Sequence, residues 1–412
     1  MNVKTGGFSE YVRLDSALEM IFSRIKEVNS EELSFDEATG RVLSKDVKSK
    51  LNVPPFDRSA MDGFAVRAED TFGADENEPR HLQIIGSIEI GSASDMEVGR
   101  GQAVEIATGA PMPKGADATV MVEKTSKENN KIKVFEPVSP GENVSSAGED
   151  VKSGQKVLEA DRRLRPSDIG MLASTGNLKI QVKRRPKIGI AITGDELRKP
   201  GKSLKPGEIT ESVSYILAPA VEKCGAEAVR LGIVPDRFEE IEKIFNNASD
   251  FDALILTGGS SVGEKDLVPD AISKSGELVF HGVAVRPGSP SSFGLVDGTP
   301  VFSLAGFPVA SVIAFEMIVR PALRAMQGLQ AKDFRMEIKA KLLRKLSSSL
   351  GRMDVARVRL KKDNGDFFAE PIRVTGSSVL RTVTEADGLV TIPENSEGFS
   401  EGDVVTIYPL DL

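Results

Sequence analysis

From residue 187 to residue 327, short apolar runs alternate with segments whose apolar positions recur at helical spacing. KIGIAIT (187–193), EAVRLGIV (227–234), DALILT (252–257), ELVFHGVAV (277–285) and TPVFSLA (299–305) read as strands. Between them, SYILAPAVEKCG, FEEIEKIFNNAS and LVPDAISKSG read as helices, the first stopping at Gly225. PVASVIAFEMIVRPALRAM reads as one long closing helix. Such alternation predicts a parallel sheet with helices on both faces. Upstream, residues 14–28 place Leu14, Leu18, Ile21, Phe22, Ile25 and Val28 on one helical face, with Ser16 and Glu19 spaced as a capping box. From about 40 to 160 the texture changes to short strands with Gly and Pro turns, such as HLQIIGSIEIG and ATVMVEKTS. A short helix follows Pro166 and stops at Gly176, and LKIQVKRR (178–185) reads as a strand. Residues 330–412 read mostly as strands and suit a small β-barrel or sandwich.

A chain of 412 residues is long enough for several cores, and 40% hydrophobic with 28% charged residues is ordinary for a globular protein. A net charge of −8 argues against a general nucleic-acid binder. One cysteine, Cys224, excludes internal disulfides and a cysteine-built zinc site. Only His81 and His281 remain, so a metal here is a hard ion held by carboxylates, and Mg²⁺ fits. The N-terminus has acidic residues where a signal peptide needs an apolar run, and no apolar stretch is long enough to span a membrane. A cytoplasmic protein is expected.

In an open α/β sheet, ligands bind beyond the carboxyl ends of the strands. Those ends lead here into TGDE (193–196), VPD (234–236), TGGSSVGEKD (257–266), VRPGSP (285–290) and AGFP (305–308). Gly258, Gly259, Ser260, Ser261 and Gly263 offer N–H and hydroxyl donors to a phosphate-like oxyanion. The bland alternative is a plain strand-to-helix turn. Pro308, in the first turn of the closing helix, leaves neighbouring amides free at a positive helix end. Asp195, Glu196 and Asp266 can hold Mg²⁺ beside that anion. No P-loop occurs, and G-x-G-x-x-G is absent after the first strand. His281 sits in an apolar run, where a structural role is expected.

The stretch VPPFDRSAMDGFAV (53–66) carries Asp57 and Asp62 in a loop stiffened by Pro54 and Pro55, with a turn expected at Asp62-Gly63. Two carboxylates on a rigid loop suit a cation or a substrate. On local chemistry alone, a tight turn in which they accept from backbone N–H groups is the favoured reading.

PPFDRSAMDGFAV, IATGAPMPKGAD, SAGEDVKSG, ITGDEL, LTGGSSVGEKD, RPGSP and AGFPVAS occur in the order and spacing of the MoeA family, the molybdopterin molybdenumtransferases. The chain resembles that family, and gephyrin's E domain, over nearly its whole length. The resemblance implies a multidomain α/β plus β architecture. Residues 1–50 and 138–182 would form a discontinuous elongated linker domain, 51–137 a β-rich lid, 183–328 a MogA-like three-layer α/β domain with a parallel-rich sheet, and 329–412 a β-barrel. It further implies a homodimer in which the lid of one subunit faces the α/β rim of the other. Asp57 would reach across that cleft, with Thr108 beside it. The implied reaction is Mg²⁺-dependent insertion of molybdate or tungstate into adenylylated molybdopterin, with release of AMP. By similarity, Asp57, Asp150, Asp195, Glu196 and Asp266 are the functional carboxylates, with Asp195, Glu196 and Asp266 as metal ligands. Pro287, Pro290 and Pro308 would shape the phosphate site, and Arg286, Arg357 and Ser377 would line the oxyanion region. Neither nucleic acid nor membrane is an implied partner.

Three rim segments depart from the family pattern. K-P-G-K-P reads Arg286-Pro287-Gly288-Ser289-Pro290, P-G-N-P reads Ala305-Gly306-Phe307-Pro308, and D-[ST]-N reads Glu211-Ser212-Val213. Arginine and lysine differ as anion ligands, and Ser289 removes a charge. Three readings therefore stand: an insertase, a non-catalytic paralogue that binds molybdopterin nucleotide or serves as a scaffold, and the adenylylating step of the same pathway.

Overall fold

The structure, a computed structural model, describes residues 3–5, 8–92, 95–258, 266–329, 337–372 and 376–410. Helix α1 (Leu14–Phe22) buries Ala17 and Ile21 against the α/β body. It ends earlier than its periodicity predicts, because Ser23 Oγ donates to the Met20 carbonyl and Val28 N donates to Met326 O at 2.8 Å. The Ser16–Glu19 capping box does not form; Arg13 is the N-cap and makes no side-chain capping bond. Ser30–Ser34 pairs antiparallel with Lys179–Lys183, and Val47–Lys48 with Lys156–Leu158. Helix α2 (Pro166–Ser174) completes this body, followed by Gly176 at φ +75°. Leu43, Leu158, Leu164, Leu172 and Val182 form its core, so two distant stretches of chain share one small interior.

Between those stretches lies a six-stranded sheet of β1 (Gly63–Val66), β2 (Arg80–Ile88), β3 (Gln102–Ile106), β4 (Ala118–Met121), β5 (Thr125–Glu128) and β6 (Lys131–Val134), ordered β5-β6-β2-β3-β1-β4. Phe64, Val66, Leu82 and Ile132 pack one face, and Ala65, Ile88, Val104 and Ile106 the other. Gly63 begins β1 and is not the turn glycine expected. A Cβ there would lie 2.0 Å from Val120 O, so it permits the close approach of β1 and β4.

The α/β body contains β7 (Lys187–Thr193), β8 (Glu227–Val234), β9 (Ala253–Thr257), β10 (Gly276–His281), β11 (Ser292–Val296) and β12 (Thr299–Leu304), ordered β8-β7-β9-β12-β11-β10. The first four are parallel and the last two antiparallel, so the sheet is mixed. Helices α3 (Val213–Lys223), α4 (Phe238–Phe245), α5 (Leu267–Ser275), α6 (Pro308–Ala314) and α7 (Arg320–Met326) cover it. Ile188, Ile190 and Ile192 pack with α3, α6 and α7. Ala191, Leu254 and Leu256 pack with α4 and α5 on the opposite face, which gives three layers. The closing helix is α6 and α7 joined by a π-helical turn at Phe315–Val319. Pro321 follows that turn; it lacks an N–H and its ring would crowd the carbonyl four residues back, which a widened turn relieves.

Strands β13 (Ile338–Leu342), β14 (Met353–Asp363), β15 (Asp366–Pro371), β16 (Gly388–Ile392) and β17 (Val404–Pro409) pair as β14-β15-β13-β17-β16, and β16 returns to β14. The result is a closed five-stranded barrel around Leu342, Val358, Val390 and Ile407. Val285–Arg286 pairs parallel with Met353–Asp354, and Val355 and Leu389 join the α/β core, so the barrel is fixed against that body.

Candidate active site

The carboxyl ends of β7, β9 and β12 are pressed together. A Cβ on Gly258 (φ +129°) would sit 2.2 Å from Thr193 Oγ1, and one on Gly306 would sit 3.1 Å from Gly258 Cα. Beyond these ends opens a cavity of about 570 Å³. Ile192, Leu197, Ile209, Val213, Phe307 and Pro308 give it an apolar wall. Glu196, Glu211, Asp236 and the hydroxyl residues Thr193, Thr210 and Ser212 give it a polar one. The rim expected from the strand ends is thus a real concavity.

Asp236 lines it, and Asp195 lies beside Asp236. Asp195 N donates to Asp236 Oδ2 at 3.4 Å, and Asp236 N donates to Asp195 Oδ1 at 3.3 Å. Asp236 Oδ1 is buried and accepts no hydrogen bond. A buried carboxylate oxygen without a donor suits a cation. Asp266 heads α5 away from the cavity lining, with His281 Nε2 at 3.5 Å from its Oδ2. Burial, and then the charge of Asp270, push its carboxyl up to about 7; burial pushes the His281 imidazole down. Among the described residues no three His, Cys, Asp or Glu side chains converge as a metal-holding group. Mg²⁺ commonly takes only one or two carboxylates plus substrate phosphate oxygens, and the Asp195–Asp236 pair fits that mode.

Both helix ends at the cavity already have partners. Glu211 accepts from Ser214 N at 2.6 Å and from Ser214 Oγ at 2.8 Å, capping α3. The amide after Pro308 is not free as expected: Val309 N donates to Ser377 O at 3.0 Å. That bond brings the Ser377 loop of the barrel region to the start of α6.

Gly258 lies in the rim, while Gly259, Ser260, Ser261 and Gly263 lie outside the described residues. The 285–290 loop packs on α6, where a Cβ on Gly288 would meet Ala310 O at 3.3 Å. Its Arg286-Pro287 peptide is cis, and Pro290 is half-buried. Arg286 Nε donates to Asp354 Oδ1 at 2.6 Å, and its Nη2 also meets Asp354, which is 1% exposed. This arginine therefore has a resident counter-ion. Ser289 is buried and donates to Val285 O at 2.7 Å. Arg357 is 0% exposed, inside the barrel strand β14, and its environment pushes its pKa down.

The remaining predicted residues gather elsewhere. Ala147 N donates to Asp57 Oδ1 at 2.7 Å, and Met112 N donates to Asp57 O at 2.9 Å. Thr108 is tied to Asp62, donating to Oδ1 from N at 2.7 Å and from Oγ1 at 2.8 Å. Those bonds, the backbone one first, hold the Asp62 carboxyl below the usual range. Asp150 N donates to Val53 O at 3.0 Å. Asp57, Thr108 and Asp150 thus share one exposed loop cluster, and among the described residues no hydrogen bond joins it to the α/β rim of the same chain. From sequence, Asp236 lay in the named rim loop 234–236 and Glu211 was named as a departure from the family pattern, but neither was given a role; Asp354 was not singled out.

Three family models match in order: "MoeA N-terminal region (domain I and II)" over 12–176, "Probable molybdopterin binding domain" over 189–325, and "MoeA C-terminal region (domain IV)" over 339–410. A Methanocaldococcus jannaschii protein named for molybdopterin biosynthesis is 38% identical, covering 96% of this chain and 98% of its own. The molybdopterin molybdenumtransferase of Haemophilus influenzae is 33% identical over 93% and 94% of the two chains. A crystal structure of the molybdopterin biosynthesis MoeA protein of Pyrococcus horikoshii superposes with a TM-score of 0.85 at 36% identity, covering 97% of this chain and 100% of that one. Agreement of sequence and fold from one end of these chains to the other makes this protein a member of the MoeA family.

Proposed function

We propose that the chain is a molybdopterin molybdenumtransferase that inserts molybdate or tungstate into adenylylated molybdopterin and releases AMP. The cavity at the strand ends carries this reading: one wall is apolar and suits a ring system, the other holds carboxylates and hydroxyls beside a buried, unpartnered Asp236 oxygen. Mg²⁺ would be held by Asp195 and Asp236 together with substrate phosphate oxygens, with Glu196 and Asp266 adding negative charge to the site, and would supply charge neutralisation at the phosphates. Thr193, Thr210 and Ser212 would orient the anionic part of the substrate through their hydroxyls. Fixed donors of this kind act on charge as it develops during transfer, without reorganising.

Asp57 serves the partner subunit's rim in this reading. The working form is a homodimer in the cytoplasm, with residues 51–137 as lid, 183–328 as substrate domain, and 1–50 with 138–182 as linker. Support comes from the loop cluster of Asp57, which among the described residues has no hydrogen bond to its own rim. No helix among the described residues is long and apolar enough to cross a membrane.

The test is AMP release from adenylylated molybdopterin with Mg²⁺, with and without molybdate or tungstate. Oxyanion-dependent release is expected. Tight binding without release would leave a nucleotide-binding protein and overturn the transferase reading.

A further inference from the structure

The family pattern carries a small amide at the position of Phe307, and the side chain here has a different capability. Phe307 is the N-cap of α6, with φ −75° and ψ 134°, between Gly306 and Pro308. Its carbonyl accepts from Ser311 N at 2.9 Å and Ser311 Oγ at 3.2 Å, so the backbone beneath the side chain is pinned. The residue is 52% exposed, yet it lines the cavity. Among the described residues its ring has no aromatic or cationic partner. A large apolar side chain on a rigid base at a cavity mouth is well placed for a ligand.

We infer that Phe307 is a specificity-determining residue whose face stacks on a planar nitrogen heterocycle of the substrate. The inference rests on the proposed function, since the adenylylated substrate offers two such rings, adenine and pterin. Both are flat π systems attached to phosphate-bearing chains, and the neighbouring walls match that division. Ile209 and Leu197 continue the apolar surface, while Thr193 and Ser212 supply polar groups for the anionic remainder. Aromatic stacking tolerates either ring, because each has a π face. An amide at the same position offers hydrogen bonds in place of that face. The chain would therefore take affinity from ring area at this position.

The sequence contains no tryptophan, so Phe307→Trp places a single reporter at the cavity mouth. Its emission is titrated with AMP, with 6-carboxypterin and with ribose 5-phosphate. Quenching by at least one ring compound and not by ribose 5-phosphate is expected, and the two arms identify which ring is held. In parallel, Phe307→Ala and Phe307→Asn are compared with the native chain by calorimetry. Affinity for the ring compound should fall roughly tenfold in both, at unchanged ribose 5-phosphate binding. Equal affinity in all three chains, or loss of affinity together with dissociation of the oligomer, would overturn the stacking role. Failure of the transferase reading looks different: ring-dependent quenching would persist while oxyanion-dependent AMP release was absent.

Discussion

Replacing Asp266 by Asn should stabilise the chelator-treated protein at pH 8 and do much less at pH 5. Asp266 is pushed from 3.8 to about 7, chiefly by burial. Between those values the folded chain binds a proton that the unfolded chain releases. Stability is therefore intact below about pH 4, declines as pH rises, and stays reduced above 7. A shift of that size corresponds to about 4 kcal/mol if the group were sealed from water. Water reaches part of the side chain, and screening reduces the figure to about 2 kcal/mol. The neutral amide avoids this cost, and Asp266 makes no side-chain capping bond to α5 that the change would remove. Thermal unfolding of both chains at the two pH values measures the effect, which should be a melting advantage larger at pH 8 by about 2–5 °C, since part of the cost is already present at pH 5. An advantage independent of pH, or a variant less stable at pH 8, would refute the claim that an ionised carboxylate is disfavoured there. Adding Mg²⁺ at pH 8 should raise the melting point of the native chain more than that of the variant.

Asp57→Ala should abolish AMP release while costing only about 1 kcal/mol of stability, the value of its bond from Ala147 N; unfolding or dissociation of the variant would make Asp57 a structural residue. Gly258→Ala should destabilise the rim by roughly 3 kcal/mol or more, because its Cβ would meet both Thr193 Oγ1 and Thr193 O, and a chain that unfolds at the native urea midpoint would contradict the packing. Asp354→Asn should cost about 2 kcal/mol in chemical denaturation, since Arg286 loses its counter-ion and Ser348 an acceptor at 2.7 Å. An unchanged denaturation midpoint would mean that the pair contributes nothing.

The parallel half of the α/β sheet was legible because β7, β8 and β9 are short apolar runs separated by amphipathic helices. The antiparallel edge was not read from periodicity, although its signal was present. Asp297 (φ 49°) and Gly298 (φ 80°) form the tight connection between β11 and β12, and Asp-Gly is a strong hairpin dipeptide. The end of α1 escaped for another reason. Ile25 and Val28 keep helical spacing, but Val28 is drawn into a hydrogen bond with Met326, a tertiary contact that no local pattern contains. In the site, Gly258 and Pro308 were readable as loop chemistry at strand ends. The pairings of Arg286 with Asp354 and of Glu211 with Ser214 were not, because a charge does not announce in sequence which neighbour neutralises it.

The sheet of β1 to β6 leaves and returns to the rest of the chain at a single place. Val53 N donates to Val151 O at 2.8 Å, and Gly148 N donates to Pro54 O at 2.9 Å. Among the described residues, nothing between these points pairs with strands beyond them. The whole segment is topologically a side branch, hung from a trunk that would close on itself without it. Splicing Val53 to Val151 through a short turn should therefore spare the Ser30–Ser34 pairing with Lys179–Lys183, as insertions grafted at adjoining chain ends generally allow. A branch on so narrow a stem would turn at its joint more readily than bend along its length, and a small rotation there would become a large displacement of residues at its far edge.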